Sequence, residues 1–165
     1  MTREADIRIR YLADTQDALA TLVDWFVDEW RPYYGSDGPG NAEADLRESM
    51  NRDALPICLV AATDAGDIAG CISLKSESIS HPELTPWGAA FLVAPTYRRQ
   101  GIGTMLVAAL EKEARRLGFS QLYMSTDAAT RIVERRGWRA FDTTESLRGT
   151  ITVYSVYLES ELPNL

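Results

Sequence analysis

Apolar positions along the chain follow two periods. From Ile7 to Leu12 apolar and basic residues alternate (Ile7, Arg8, Ile9, Arg10), as in a strand with one buried face. Leu19, Leu22, Val23, Phe26, Val27 and Trp30 then recur at three and four residues, the stripe of a helix lying on a core. Asp14 or Thr15 stands where a helix cap belongs, and Pro32 is expected to end the helix. Tyr33 to Gly40 is rich in turn residues, and a short helix is predicted from about Asn41 to Met50. Ile57 to Ala62 is wholly apolar and reads as a buried strand. The turn Asp64 to Asp67 leads into a second strand, Ile68 to Leu74, with an extension toward Ile79. Two prolines between His81 and Pro86 mark a connection, and Ala89 to Ala94 is a further strand stopped by Pro95.

Gly101 to Leu117 carries the clearest helical pattern. Leu106, Leu110, Ala114 and Leu117 form its inner face, Glu111 is expected to pair with Arg115 outside, and Gly118 stands where a left-handed cap belongs. A strand from Leu122 to Ser125 and a short helix from about Ala129 to Arg135 follow, then Gly137. Strands near Trp138 to Phe141 and from Thr150 to Leu158 close the chain. The order predicts an α/β (α+β) domain over residues 1–165. Its mixed, mostly antiparallel sheet of six to seven strands carries about four helices on its two faces.

Composition narrows the function classes. No run of ~18 apolar residues is present, so no membrane span is expected. The opening Met-Thr-Arg-Glu-Ala-Asp lacks the apolar stretch of a secretory leader, which makes the cytoplasm the expected compartment. A formal net charge of −7 argues against nucleic-acid binding and is compatible with a cationic or amine-bearing substrate. With 2 Cys and 1 His no closed metal site is expected. Cys58 and Cys71 lie inside apolar runs and read as small core residues. A nucleophilic pair with His81 is the lesser alternative.

The chemistry concentrates where Val93-Ala94-Pro95-Thr96-Tyr97-Arg98-Arg99-Gln100-Gly101-Ile102-Gly103-Thr104 joins a strand to the best helix. A helix start offers unpaired N–H groups and the positive end of the macrodipole. Glycines at 101 and 103 remove Cβ atoms that would hold an anion away, so the turn suits a phosphate or pyrophosphate, with Arg98 and Arg99 adding charge. The dinucleotide fingerprint would need a third glycine where Leu106 stands, and the P-loop would need a Gly-Lys-Ser/Thr triplet that the chain lacks.

The string Arg98-x-x-Gly101-x-Gly103 resembles the Arg/Gln-x-x-Gly-x-Gly/Ala cofactor motif of the GNAT superfamily of N-acetyltransferases. Pro86 to Val93 is similar to that family's fourth strand, which splays from the fifth so that pantetheine pairs with it. Ala128 to Trp138 is similar to its helix and Gly-aromatic segment, and the order of elements agrees from about Ile7 to Leu158. The resemblance implies acetyl-CoA as donor and direct attack of an amine on the thioester. It implies pantetheine and thioester contacts from the backbone at Leu92 and Val93, and a pyrophosphate wrapped by Arg98, Arg99, Gln100, Gly101, Ile102, Gly103 and Thr104. Homodimerisation through the last strands is a further expectation.

One position departs from the family. Many members carry, four residues before the Gly-aromatic pair, a Tyr that protonates the leaving thiolate, and here that position is Val133. Tyr154 and Tyr123 are the substitute candidates, and a non-catalytic acyl-CoA-binding or sensor module is the alternative reading. For the base, Glu83 is the first choice among Glu77, His81 and Glu83. Asp127 is a helix cap or an acceptor contact. Trp30, Tyr33 and Tyr34 form a candidate cage for a cation, with Glu29 or Asp37 to pair with it, and Trp87 is a candidate wall of the acceptor pocket.

Overall fold

A computed structural model describes residues 6–159. Apart from Asp6, the N-terminal segment read above as leaderless lies outside them, as do the two ends of the expected domain. Seven strands are present: β1 (Ile7–Tyr11), β2 (Ile57–Thr63), β3 (Ile68–Lys75), β4 (Trp87–Val93), β5 (Gln121–Thr126), β6 (Arg139–Ser146) and β7 (Gly149–Tyr157). The helices are α1 (Leu19–Glu29), α2 (Arg31–Tyr34), α3 (Ala42–Glu48), α4 (Ile102–Arg116) and α5 (Thr130–Arg135). The strands form one sheet in the order β1-β2-β3-β4-β5-β7-β6. Every neighbouring pair is antiparallel except β4 and β5, which are parallel across the α4 crossover. Among the described residues no helix is long and apolar enough to cross a membrane.

The sheet is covered on both faces, which is why β2 is apolar from Ile57 to Ala62. Ile57, Leu59 and Ala61 join the core under α4 and α5, while Cys58 and Val60 join the one under α1 and α3. Leu106, Leu110 and Ala114 of α4 and Leu22 and Phe26 of α1 seal the two layers. Each fully buried Leu or Ile contributes roughly 1.5–3 kcal/mol relative to exposure. Cys58 and Cys71 are core residues with free thiols, as their setting suggested. Burial pushes the Cys58 thiol up to about 11 and raises Cys71 as well, which keeps both protonated.

Several expectations need correction. β1 ends at Tyr11, and two 3₁₀ turns carry the chain to α1. Neither Asp14 nor Thr15 caps α1: its N-cap is Ala18, with no side-chain bond. Pro32 does not end α1. The helix breaks at Trp30 (φ −122°, ψ 49°), and Pro32 sits in the first turn of α2, where its missing N–H costs nothing. β3 stops at Lys75, short of Ile79, while β6 runs on to Ser146 as an exposed edge strand. Glu111 is buried and pairs with Arg136, not Arg115, and also accepts from the Trp138 indole N–H at 3.5 Å. The i,i+4 rule that suggested Arg115 places both residues on one helix face without saying whether that face meets solvent.

Candidate active site

The site begins where two parallel strands part. β4 and β5 are joined only at Trp87 with Tyr123 and Gly88 with Met124, although both continue beyond. A bulge drives β4 away. Between the pairs Cys71–Leu92 and Ser73–Ala89 the β3–β4 register shifts, and Ala90 takes a left-handed φ of 54°. The Ala90 carbonyl accepts from the Cys71 thiol at 3.4 Å, on the β3 side. The Leu92 carbonyl is also turned to β3, lying 2.7 Å from where a Cβ on Gly70 would stand. Strand alternation therefore aims the polar groups of Val93 at the open side, where its carbonyl accepts from Arg98 Nε at 3.2 Å. Of the two expected backbone contacts, Val93 presents its edge to the gap.

The turn after β4 leads into α4 with Arg99 at φ 65° and Gly101 at φ 79°. The first hydrogen bond of the helix runs from Met105 N–H to the Gly101 carbonyl at 3.1 Å, so the amides of Ile102, Gly103 and Thr104 have no partner within the helix. Gly101 is needed for its conformation, since a Cβ there would touch nothing. Gly103 is different. A Cβ there would stand 2.7 Å from Ile132 Cδ1 and 3.0 Å from Phe91 Cζ. That glycine lets α4 pack closely on β4 and α5, a role its place in the motif does not reveal. Arg98 and Arg99 line the cleft, whereas Gln100 bonds back to the Thr96 carbonyl at 3.2 Å and does not.

The cleft measures about 980 Å³ and runs from this turn, past the gap between β4 and β5, to a second group of residues. Glu29 and Trp30 come from the end of α1, Asp127 from the end of β5, and Leu147 and Arg148 from the β6–β7 hairpin tip. Arg148 is ion-paired with Glu29 and lies 3.8 Å from Asp127. Asp127 does not cap α5. The Thr126 hydroxyl accepts from the Ala129 N–H at 3.0 Å instead, which leaves Asp127 to the cleft.

Other expected residues stand elsewhere. Glu83 is exposed on the loop leading to β4, away from the cleft. Tyr154 is buried in the core under α4, with its hydroxyl donating to Glu134 at 2.9 Å, and it does not line the cleft. Tyr123 packs against Trp87 at 5.4 Å between centroids. Trp87 is also buried at that end of β4, its indole donating to the Leu84 carbonyl at 2.7 Å, so it walls no acceptor pocket. No aromatic cage forms: Tyr34 donates to Asp45 at 2.7 Å and Tyr33 packs edge-on against Tyr34, so of that trio only Trp30 faces the cleft. His81 rules out the Cys–His pair. It bridges Ser80 and Asp142, at 2.8 and 2.7 Å, beside Trp87, while both cysteines belong to the layer under α1 and α3. Val133 is fully buried, and α5 turns Ile132 and Arg135 to the cleft, so a phenol at 133 would point into the core here.

The sequence reading missed Arg148, Arg135 and the Ala90 bulge. Gly149, in the left-handed region at φ 98°, was a signal for the tight hairpin, but nothing local says which cleft its tip crosses.

The donor half fits a coenzyme A molecule. It combines unpaired helix amides, a left-handed glycine, two arginines and an unpaired strand edge in one cleft. Comparison with known proteins agrees with this geometry. The model of the acetyltransferase (GNAT) family matches residues 19–138. No curated protein is a significant match to the sequence. Among solved structures, an aminoglycoside 6'-N-acetyltransferase complexed with coenzyme A superposes with a TM-score of 0.72 at 15% identity, over 94% of this chain and 99% of that one. A putative acetyltransferase from Acinetobacter baylyi ADP1 gives 0.73 at 16% identity, over 100% of this chain and 99% of that one. One from Salmonella typhimurium with acetyl-CoA gives 0.70 at 21%, over 96% and 98%. These likenesses concern the fold.

Proposed function

The chain belongs to the acetyltransferase (GNAT) family, and from that premise we propose that its cleft moves an acetyl group from acetyl-CoA to a primary amine. The observation that carries the reading is the continuity of the gap between β4 and β5 with the amides and arginines at the start of α4. A long ligand with an anionic end and an amide-bearing arm matches both parts at once.

In this reading Arg98, Arg99 and the amides of Ile102, Gly103 and Thr104 hold the pyrophosphate, and the Val93 edge of β4 pairs with the pantetheine arm. Acetyl-CoA bound there supplies the thioester acetyl group and a thiol leaving group. The bulge at Ala90 aims the β4 edge into the gap, and Phe91, Ile132 and Gly103 pack one wall of it. Asp127 and Glu29 stand at the acceptor end, where their charge favours a cationic acceptor, and water carries off the proton of the attacking nitrogen. No phenol is assigned as acid, because a coenzyme A thiolate leaves without one. The test is thiol release from acetyl-CoA across a panel of primary amines. Amine-dependent release supports transfer, and tight binding with no release on any amine would indicate the binding-module alternative.

A further inference from the structure

The two ends of the cleft carry opposite charge. Arg98, Arg99 and Arg135 line the donor half, while Glu29 and Asp127 line the acceptor half with Arg148 between them. Arg148 does not come from the cleft's floor. It reaches in from the tip of the β6–β7 hairpin, beside Leu147, which is 60% exposed. The protein thus fills its own acidic end with a cation that it carries on a surface turn. The three side chains sum to one negative charge, which disfavours an acceptor bearing a carboxylate next to its amine.

We propose that the Arg148 guanidinium occupies the seat of a second ammonium, and that the acceptor is a di- or polyamine. This rests on the acetyl-transfer reading of the cleft and names its substrate class. The reacting amine must be neutral when it attacks, so that nitrogen has no charge to offer Glu29 or Asp127. A monoamine therefore leaves Arg148 where it is, across the acceptor end. An acceptor with a further ammonium replaces the guanidinium at both carboxylates and releases the hairpin tip. Charge is conserved in the exchange, and selectivity comes from the cation count rather than from a shaped pocket.

The experiment is calorimetric binding of spermidine and of n-butylamine at low salt, to the free protein and to protein saturated with desulfo-CoA. Wild type, Arg148→Ala and Glu29→Gln are compared, with desulfo-CoA affinity measured for each. Spermidine should bind at least ~10-fold more tightly than n-butylamine; losing one ionic contact in Glu29→Gln should weaken it about 10-fold. Arg148→Ala should tighten it several-fold, since the resident competitor is gone. Desulfo-CoA affinity should be the same in all three proteins. Equal binding of the two amines, or spermidine binding indifferent to both substitutions, overturns the proposal even where desulfo-CoA binds normally. Failure of desulfo-CoA to bind would instead count against the donor-site reading, while the spermidine comparison on free protein still decides this one.

Discussion

Gly88 lies opposite Met124 in the last rung between β4 and β5, and beyond that pair the two strands share no hydrogen bonds. The rung is tight. A Cβ on Gly88 would stand 2.7 Å from Leu110 and 3.1 Å from Met124. The gap that follows is thus held open from below by a close-packed contact. The amide of Val93, aimed into the gap, should exchange with solvent quickly in the free protein and slow at least ~10-fold on adding acetyl-CoA, as hydrogen exchange read by NMR would report. Equal rates would mean that β4 pairs with no ligand.

The two motif glycines should fail in different ways. Gly101→Ala forces a side chain into the left-handed region at roughly 1–2 kcal/mol, which should weaken acetyl-CoA binding by up to ~10-fold with little loss of packing. Gly103→Val meets Ile132 and Phe91 and should cost about 1–3 kcal/mol of stability in urea unfolding as well. Identical behaviour of the two variants would contradict the division of roles.

Glu111 anchors the segment after α5 by pairing with Arg136 and accepting from Trp138. Removing a buried partner strands the guanidinium of Arg136, whose side chain is 30% exposed and so partly rehydrated. Glu111→Ala should therefore lower stability by about 2–3 kcal/mol, measured by thermal or urea unfolding. A change within about 0.5 kcal/mol, the range of ordinary surface substitutions, would show the pair to be inert.

Tyr154 and Glu83 should not matter to catalysis. The Tyr154 phenol is raised by burial and by its bond to Glu134, and it faces the core. Tyr154→Phe should cost about 1 kcal/mol of stability, and it and Glu83→Gln should each leave kcat/KM within about threefold of wild type. A loss of ~100-fold in either would restore that residue to the chemistry.

His81 sets a local acid response. Its hydrogen bond to Asp142, and then the Thr143 amide, hold the Asp142 carboxyl below the usual carboxylate range. A depressed carboxylate contributes stability above its unfolded value and loses that contribution as pH falls through the folded value. Carbon NMR titration should show Asp142 moving up toward ordinary values in His81→Ala. An unmoved titration would remove His81 as the cause.

Much of the fold was legible because its signals are local. The alternation of β1, the stripe of α1, the glycine turn and the left-handed Gly118 each act within a few residues. The donor half of the site followed from the same turn. Of the acceptor half, Glu29, Trp30 and Asp127 were candidates by residue type, but their meeting with Arg148 was hidden, because Glu29, Asp127 and Arg148 come from three elements far apart in the chain. The inward turn of Glu111 was hidden for the same reason, since its partner Arg136 belongs to another helix's end. Tyr154 and Glu83 were chosen by residue type, and type does not say which way a side chain faces.

Every assignment in the cleft depends on coenzyme A binding at the β4–β5 gap. Calorimetric titration of acetyl-CoA into the purified protein tests it directly, with desulfo-CoA and ATP as controls. Micromolar binding by acetyl-CoA and desulfo-CoA but not by ATP, weakened ~10-fold or more in an Arg98→Ala, Arg99→Ala double variant, is the expected result. No binding of acetyl-CoA to the folded protein would contradict the account.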